Sequence, residues 1–381
     1  MKRSVTARAS PAGATAGALA LGSLLAAGVL LPSSASAQTP DSNAHWYIAT
    51  YTNDVLVWDE ATEEVVDRIE LQNRIPISLT LSENGERLYV LDPFFEKIEV
   101  VDLARGETID EIELSRGRTT VRLNGFSIDP DEEWAILFVK KYTKEVDRWN
   151  VEGPFMLKYD LATKTVTDTI PYPGEEMPDR ARFRLSPDGD ALYVFDEALI
   201  ALDTETFDEI DRWEISEPLE PGLGPMALPF SRSPYQEDNG VYTGLFRVTD
   251  PAQNRRMMGI ATVDLINKQV EFSTFGPSEQ VSFVLAPDGK TAYGLQSRVG
   301  HYEFWKFDVE GNRVAARVPF EGRPRMGLMP SADGTRLFIF VAGNTIDVYD
   351  SQTFQYLRTV ELDEDMTDVL VIPDREAAGG R

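Results

Sequence analysis

The chain has 381 residues, with 37 Lys and Arg against 63 Asp and Glu, a formal net charge of −26, no cysteine and two histidines. Without cysteine there is no disulfide, thiolate metal site, thiol nucleophile or covalently attached haem, and His45 and His301 have no second His at helical spacing with which to build a zinc site. So acidic a surface repels nucleic acid and anionic lipid, and neither is an expected partner. It favours cationic partners, or it is simply an acid- or salt-adapted surface with no particular partner.

The first predicted element is a targeting segment over residues 1–37. Lys2, Arg3 and Arg8 form a basic start, GALALGSLLAAGVLL (17–31) is an apolar core, and Ala35-Ser36-Ala37 fits a small-residue cleavage site. The apolar core is short for a membrane span, and no later segment is a candidate for one. The expectation is a periplasmic or secreted protein with no transmembrane anchor after cleavage at Ala37. Removing the segment leaves 34 basic against 63 acidic residues, a net charge of −29. A linker is expected over 38–44 and a disordered tail over 375–381.

Between them the chain repeats itself. LSENGERLYVLD (81–92) recurs as LSPDGDALYVFD (185–196), LAPDGKTAYGLQ (285–296) and PSADGTRLFIFV (330–341), with a degenerate copy, SIDPDEEWAILFV, at 127–139. In each, a turn is followed by a β-branched and aromatic run that reads as a buried strand. A second landmark is an apolar strand ending in Asp, at residues 59, 102, 160, 203, 264, 308 and 350, spaced by 43, 58, 43, 61, 44 and 42 residues. Seven copies of a four-strand unit predict an all-β, seven-bladed β-propeller over 45–374. The first copy lacks its innermost strand and the last is followed by a spare one, DVLVIPD (368–374), so the C-terminal strand is expected to complete blade 1 and close the ring. The recurring Asp residues read as turn formers, accepting backbone N–H groups two residues on.

Two blades are longer than the rest. Blade 3 carries KKYTKEVDRWNVEGPF (140–155) between its second and third strands. Blade 5 carries SRSPYQEDNG (231–240) after its first strand and RVTDPAQNRRM (247–257) after its second. Propeller connectivity sends 140–155 and 247–257 to the same face, and insertions of that length in a compact repeat tend to be functional. Tyr142, Trp149, Arg255 and Arg256 lie in them. Arg74, Arg118, Arg182, Arg323 and Arg325 stand on the approaches to innermost strands of other blades. Together these nine residues are the candidate binding face. The arginines either line a positive channel mouth suited to an anion or an acidic partner, or bridge neighbouring blades; only Arg74 and Arg323 align between repeats.

No Gly-rich phosphate loop follows a strand, no GxSxG is present, and two histidines build no convincing Ser-His-Asp set. No catalytic residue and no metal ligand is assigned. DPDEE (129–133) has the composition of a calcium loop, but it sits where other repeats carry an ordinary turn.

The unit PISLTLSENGERLYVLD with IEVVDLARGETIDEIEL resembles the YVTN family of bacterial propellers, over nearly all of 45–374. The irregular blades carry a narrower resemblance. The insert ending in FMLKYDLATKTV, then GVYTGLFRVTDPAQNRRMMGIATVDLINKQV, then the plain FVLAPDGKTAYGLQ, are laid out as in the propeller subunit of quinohaemoprotein amine dehydrogenases and, more distantly, the large subunit of methylamine dehydrogenase. That resemblance implies a non-redox subunit that binds no cofactor itself and walls a substrate channel. Its partners would be a small subunit bearing a tryptophan-derived quinone and a haem subunit. The alternative is a non-enzymatic propeller that binds an envelope protein or a ligand.

Overall fold

The computed structural model describes residues 42–174, 182–195, 198–214, 222–224, 226–230, 233–235 and 240–374. The expected targeting segment, most of the 38–44 linker, the 375–381 tail and six residues of the 231–240 insert lie outside them.

All helical and strand structure among the described residues is strand: seven antiparallel sheets of four strands, arranged as the blades of a ring. Closure follows the sequence expectation. The C-terminal strand Met366–Pro373 is the innermost strand of blade 1 and pairs with Ala44–Thr50, with His45 opposite Ile372 and Ile48 opposite Val369. Asp368 crosses to blade 2 by accepting the Leu79 N–H at 2.9 Å. The ring is thereby closed by backbone pairing, which leaves no open sheet edge between first and last blades.

Burial follows the strand's place in its blade. Second and third strands are sandwiched between neighbouring blades on both faces, and so read as continuous apolar runs such as Ala135–Val139. Fourth strands lie on the rim: Glu64–Glu70 is exposed except at Ile69, and Glu107, Asp110 and Glu111 ride on the next blade's rim. The excess of carboxylates is therefore carried largely outside the packed layers. Between blades 7 and 1, Trp46, Trp58 and Phe338 are fully buried and meet edge to face at 5.1 to 5.5 Å, a geometry that aligns ring edges with ring faces.

The seven recurring Asp residues form turns; Asp203 and Asp350 accept the N–H two positions on, as expected, at 2.9 and 3.0 Å, and all seven make a bond one residue further along. Each accepts the N–H of the residue three positions on: Thr62, Arg105, Thr163, Thr206, Asn267, Gly311 and Thr353, at 2.6 to 3.0 Å. The next residue takes positive φ, as at Lys164 (56°) and Phe354 (58°). These N–H bonds hold the Asp160, Asp203, Asp308 and Asp350 carboxyls below their ordinary value. DPDEE is likewise a turn, in which Glu132 accepts from Arg87 Nη1 at 2.8 Å and Tyr89 Oη at 2.7 Å on blade 2.

The blade 3 insert folds as regular sheet. Trp134–Lys144 and Trp149–Asp160 are one long hairpin, paired from Asp160↔Trp134 up to Trp149↔Lys144 with a bulge near Glu152, and the innermost strand Thr119–Ile128 rises beside them. In blade 5, Val241–Asp250 and Arg255–Asp264 form a second extended hairpin, whose turn is on the same face by connectivity.

Candidate ligand site at the central axis

Innermost strands wall the axis of a propeller, and here their lengths differ. Blades 1 and 3 have innermost strands of 8 and 10 residues, whereas those of blades 5 and 6 are Met226–Ala227 and Val284–Leu285. In blade 5 the ladder stops after Ala227↔Arg247, two residues before Pro229, which has no N–H to donate. Gly244 lies against that proline: a Cβ added there would come within 2.7 Å of Pro229 Cβ. In blade 6 the strand pairing is interrupted between Val281↔Gln296 and Val284↔Tyr293, where the Ser282 carbonyl oxygen would lie 2.1 Å from a Cβ on Gly294. Two neighbouring blades thus withdraw from the axis.

The space they leave is a cavity of about 760 Å³, reached by residues of blades 3 to 7. Its apolar wall includes Phe126, Phe183, Phe195, Phe230, Phe283 and Met329, with Phe195 and Phe230 packed at 4.6 Å between ring centres. Three arginines line it, Arg182, Arg184 and Arg247, and among the described residues no Asp or Glu does. Arg184 Nη1 donates to Tyr242 Oη at 2.9 Å, with its guanidinium 5.4 Å from the ring centre, and Arg247 Nη2 donates to the Glu279 carbonyl at 3.3 Å. Arg182 is exposed at the start of the blade 4 strand, where Arg182 and Arg184 point to one side by strand alternation. A guanidinium presents a fork of donors suited to carboxylate, sulfonate or phosphate, and an apolar surround strengthens such a bond.

Of the nine residues singled out by sequence, the cavity wall takes in Arg182. Arg74 pairs with Asp92 at 3.3 Å and covers the Phe94 ring at 4.5 Å, tying the linker between blades 1 and 2 to a blade 2 turn. Arg118 Nη2 donates to the Lys144 carbonyl at 2.6 Å and so fastens the tip of the blade 3 hairpin. Arg323 reaches Thr345 at 3.2 Å and Asp347 at 3.5 Å within blade 7, and Arg325 is an exposed residue with φ of 61°. Arg255 pairs with Asp250 across the blade 5 hairpin at 3.2 Å, and Arg256 beside it is exposed. Tyr142 lies under the Arg122 guanidinium at 5.2 Å, and Trp149 is exposed at the hairpin end. The arginines therefore divide between contacts local to a blade or its linker, which neither line a common channel mouth nor bridge neighbouring blades, and a cluster on one side of the axis.

Sequence reasoning missed Arg184 and Arg247. The RFR pattern at 182–184 carries a signal for the first, because alternate strand residues share a face. Arg247 opens the 247–257 insert but nothing sets it apart there; it lies opposite Ala227, the last paired residue of the two-residue innermost strand. Among the described residues no group of three or more His, Asp or Glu is placed to hold a metal ion, and no helix is long and apolar enough to cross a membrane.

No family model matches the chain, and no curated protein does. Among solved structures it is similar to dihydro-heme d1 dehydrogenase NirN in complex with DHE, at 12% identity over 86% of this chain and 75% of that one, with a TM-score of 0.50. It is similar to a functionally unknown protein from Desulfotomaculum acetoxidans DSM 771, at 14% identity over 87% of this chain and 99% of that one, TM-score 0.50. Apo AztD from Citrobacter koseri follows at 14% identity, over 87% and 99% of the two chains, TM-score 0.48. At such identities the likeness is one of fold, and the chain is a seven-bladed β-propeller.

Proposed function

We propose that the chain is an exported, non-enzymatic propeller that captures an organic anion with an aromatic or otherwise apolar body in its axial cavity. The observation that carries this reading is the cavity wall, with three arginines among phenylalanines in a chain of net charge −26. Two guanidiniums can grip one acidic group, while the phenylalanines take up the apolar body. The Debye length is about 8 Å at physiological salt, so carboxylates on the rim are screened from the cavity and its arginines dominate at contact range. Export rests on the basic, apolar and small-residue order of residues 1–37.

The test is fluorescence titration with 1-anilinonaphthalene-8-sulfonate, an aromatic anion, competed by naphthoate and by neutral naphthol. One site is expected, displaced by naphthoate and not by naphthol, and weakened at least about tenfold in Arg182→Ala/Arg247→Ala, since a charge-assisted hydrogen bond is worth roughly 1.5–3 kcal/mol. Equal affinity in the double variant, or equal displacement by naphthol, would sink the reading.

A second reading makes the chain the non-redox subunit of an amine dehydrogenase, with a quinone-bearing subunit and a haem subunit as partners. It is favoured by the extended hairpins of blades 3 and 5, whose turns share one face. The absorption spectrum and native mass of the protein purified from its own cells separate the two. Quinone or haem bands and a mass well above one chain support the subunit reading, and a colourless monomer eliminates it.

A further inference from the structure

The tall sheet of blade 3 sorts its side chains by face. Above the bulges, Arg122 pairs with Lys140, Thr120 with Tyr142, Tyr142 with Val151, and Lys144 with Trp149. Paired residues share a face of the pleat. One face therefore collects Arg122, Lys140 and Lys144 with Tyr142, Trp149 and Val151, and no carboxylate stands among these strand positions. The opposite face carries Val121, Leu123 and Val139, which are buried against blade 2.

Among the described residues the same hairpin has an unpaired edge. The fourth strand of blade 3, Thr165–Ile170, pairs with the third only over Met156–Asp160. Among the described residues Trp149–Glu152 pairs on one side alone, and all four residues are exposed, Trp149 by 55% and Val151 by 54%. An exposed strand edge with apolar side chains is normally blunted, because it recruits another strand. Over 114–126 and 138–156 the chain has seven Lys and Arg against three Asp and Glu, a local reversal of the sign of the whole chain.

We propose that the edge Trp149–Glu152 is a docking site for an extended, acidic segment of a partner protein, which adds to blade 3 as a fifth strand. The backbone edge supplies pairing, Trp149 and Val151 supply apolar contact, and Lys144 and Arg122 select for acidic side chains on the cationic face. Charge complementarity chooses this occupant over a basic segment or a second copy of this strongly acidic chain. The site is separate from the axial cavity and stands or falls independently of it.

The test is fluorescence anisotropy of a labelled octapeptide alternating Glu and Val, titrated with the full chain. Its controls are the Lys-Val counterpart and the Glu-Val peptide N-methylated at alternate residues, which cannot pair along one edge. Binding of Glu-Val is expected, at least about tenfold tighter than either control, falling with salt, and weakened at least about tenfold in Trp149→Ala/Lys144→Glu. Val151→Pro, which removes an edge N–H, is expected to abolish it, and the double variant of surface residues decides the matter should the proline variant unfold. No binding of Glu-Val, equal binding of either control, or undiminished binding by the double variant overturns the proposal. Concentration-dependent self-association that is lost in the double variant would overturn it in favour of a homodimer.

Discussion

Glu60 is 1% exposed in the turn after the third strand of blade 1, beneath blade 7. Its carboxylate accepts the Ala332 N–H at 2.7 Å and Trp46 Nε1 at 3.1 Å, and Arg336 Nη2 stands 4.0 Å away. Burial opposes these three and raises its pKa from 4.5 to about 7, with nearby Asp333 adding to the rise. The folded chain thus holds a proton on Glu60 to about pH 7, whereas the unfolded chain releases it near 4.5. Between those values the folded state binds more protons, so the stability Glu60 contributes is full below pH 4.5 and is lost as pH rises to 7. The span corresponds to about 3 kcal/mol. Other carboxylates with lowered values, such as Glu63 and Asp333, act in the opposite sense, so the isolating comparison is wild type against Glu60→Gln, in which the amide cannot ionise. Urea unfolding from pH 5 to pH 8 is expected to show the variant gaining about 2.5 kcal/mol on the wild type over that range, most of the full span. A difference that does not change with pH would mean that Glu60 is ionised throughout, and that Arg336 and the two donors outweigh burial.

Phe338→Ala removes a fully buried ring from between Trp46 and Trp58 and is expected to cost about 3–5 kcal/mol of unfolding free energy; a loss below about 1 kcal/mol would show that the seam between blades 7 and 1 contributes little. Asp350→Ala deletes bonds from Thr353 N, Thr353 Oγ1 and Gln352 N and is expected to cost about 1–2 kcal/mol, while Asp350→Asn keeps an accepting oxygen and costs less. Equal losses for the two would contradict the turn assignment. Arg255→Ala with Arg256→Ala alters an exposed hairpin where, among the described residues, Arg255 pairs with Asp250. On the second reading it is expected to leave the melting temperature nearly unchanged while weakening capture of a partner subunit on that face, and a large melting shift with capture intact would assign both to the hairpin fold.

The ring was legible from sequence because its causes are local and recur. Turns such as Ser186-Pro187-Asp188-Gly189, the strand-end Asp residues and the β-branched runs between them each act within a dozen residues, and seven copies leave one closed arrangement. Closure was legible for the same reason, since DVLVIPD is a strand without a blade and the first copy is a blade without its innermost strand. The length of the inserts was legible, but not that 140–155 would be hairpin, because a cationic stretch containing Gly153-Pro154 carries no clean alternation. Tertiary structure alone decided the cavity. Its wall joins Phe126 to Met329 across five blades, beside the two shortest innermost strands, Met226–Ala227 and Val284–Leu285. It also decided which arginines keep their charge toward the axis: Arg74 and Arg323 meet carboxylates contributed by neighbouring strands, and Arg182 and Arg247 do not among the described residues. A side chain's partners across blades depend on chain separated by tens to hundreds of residues, and no window of sequence contains them.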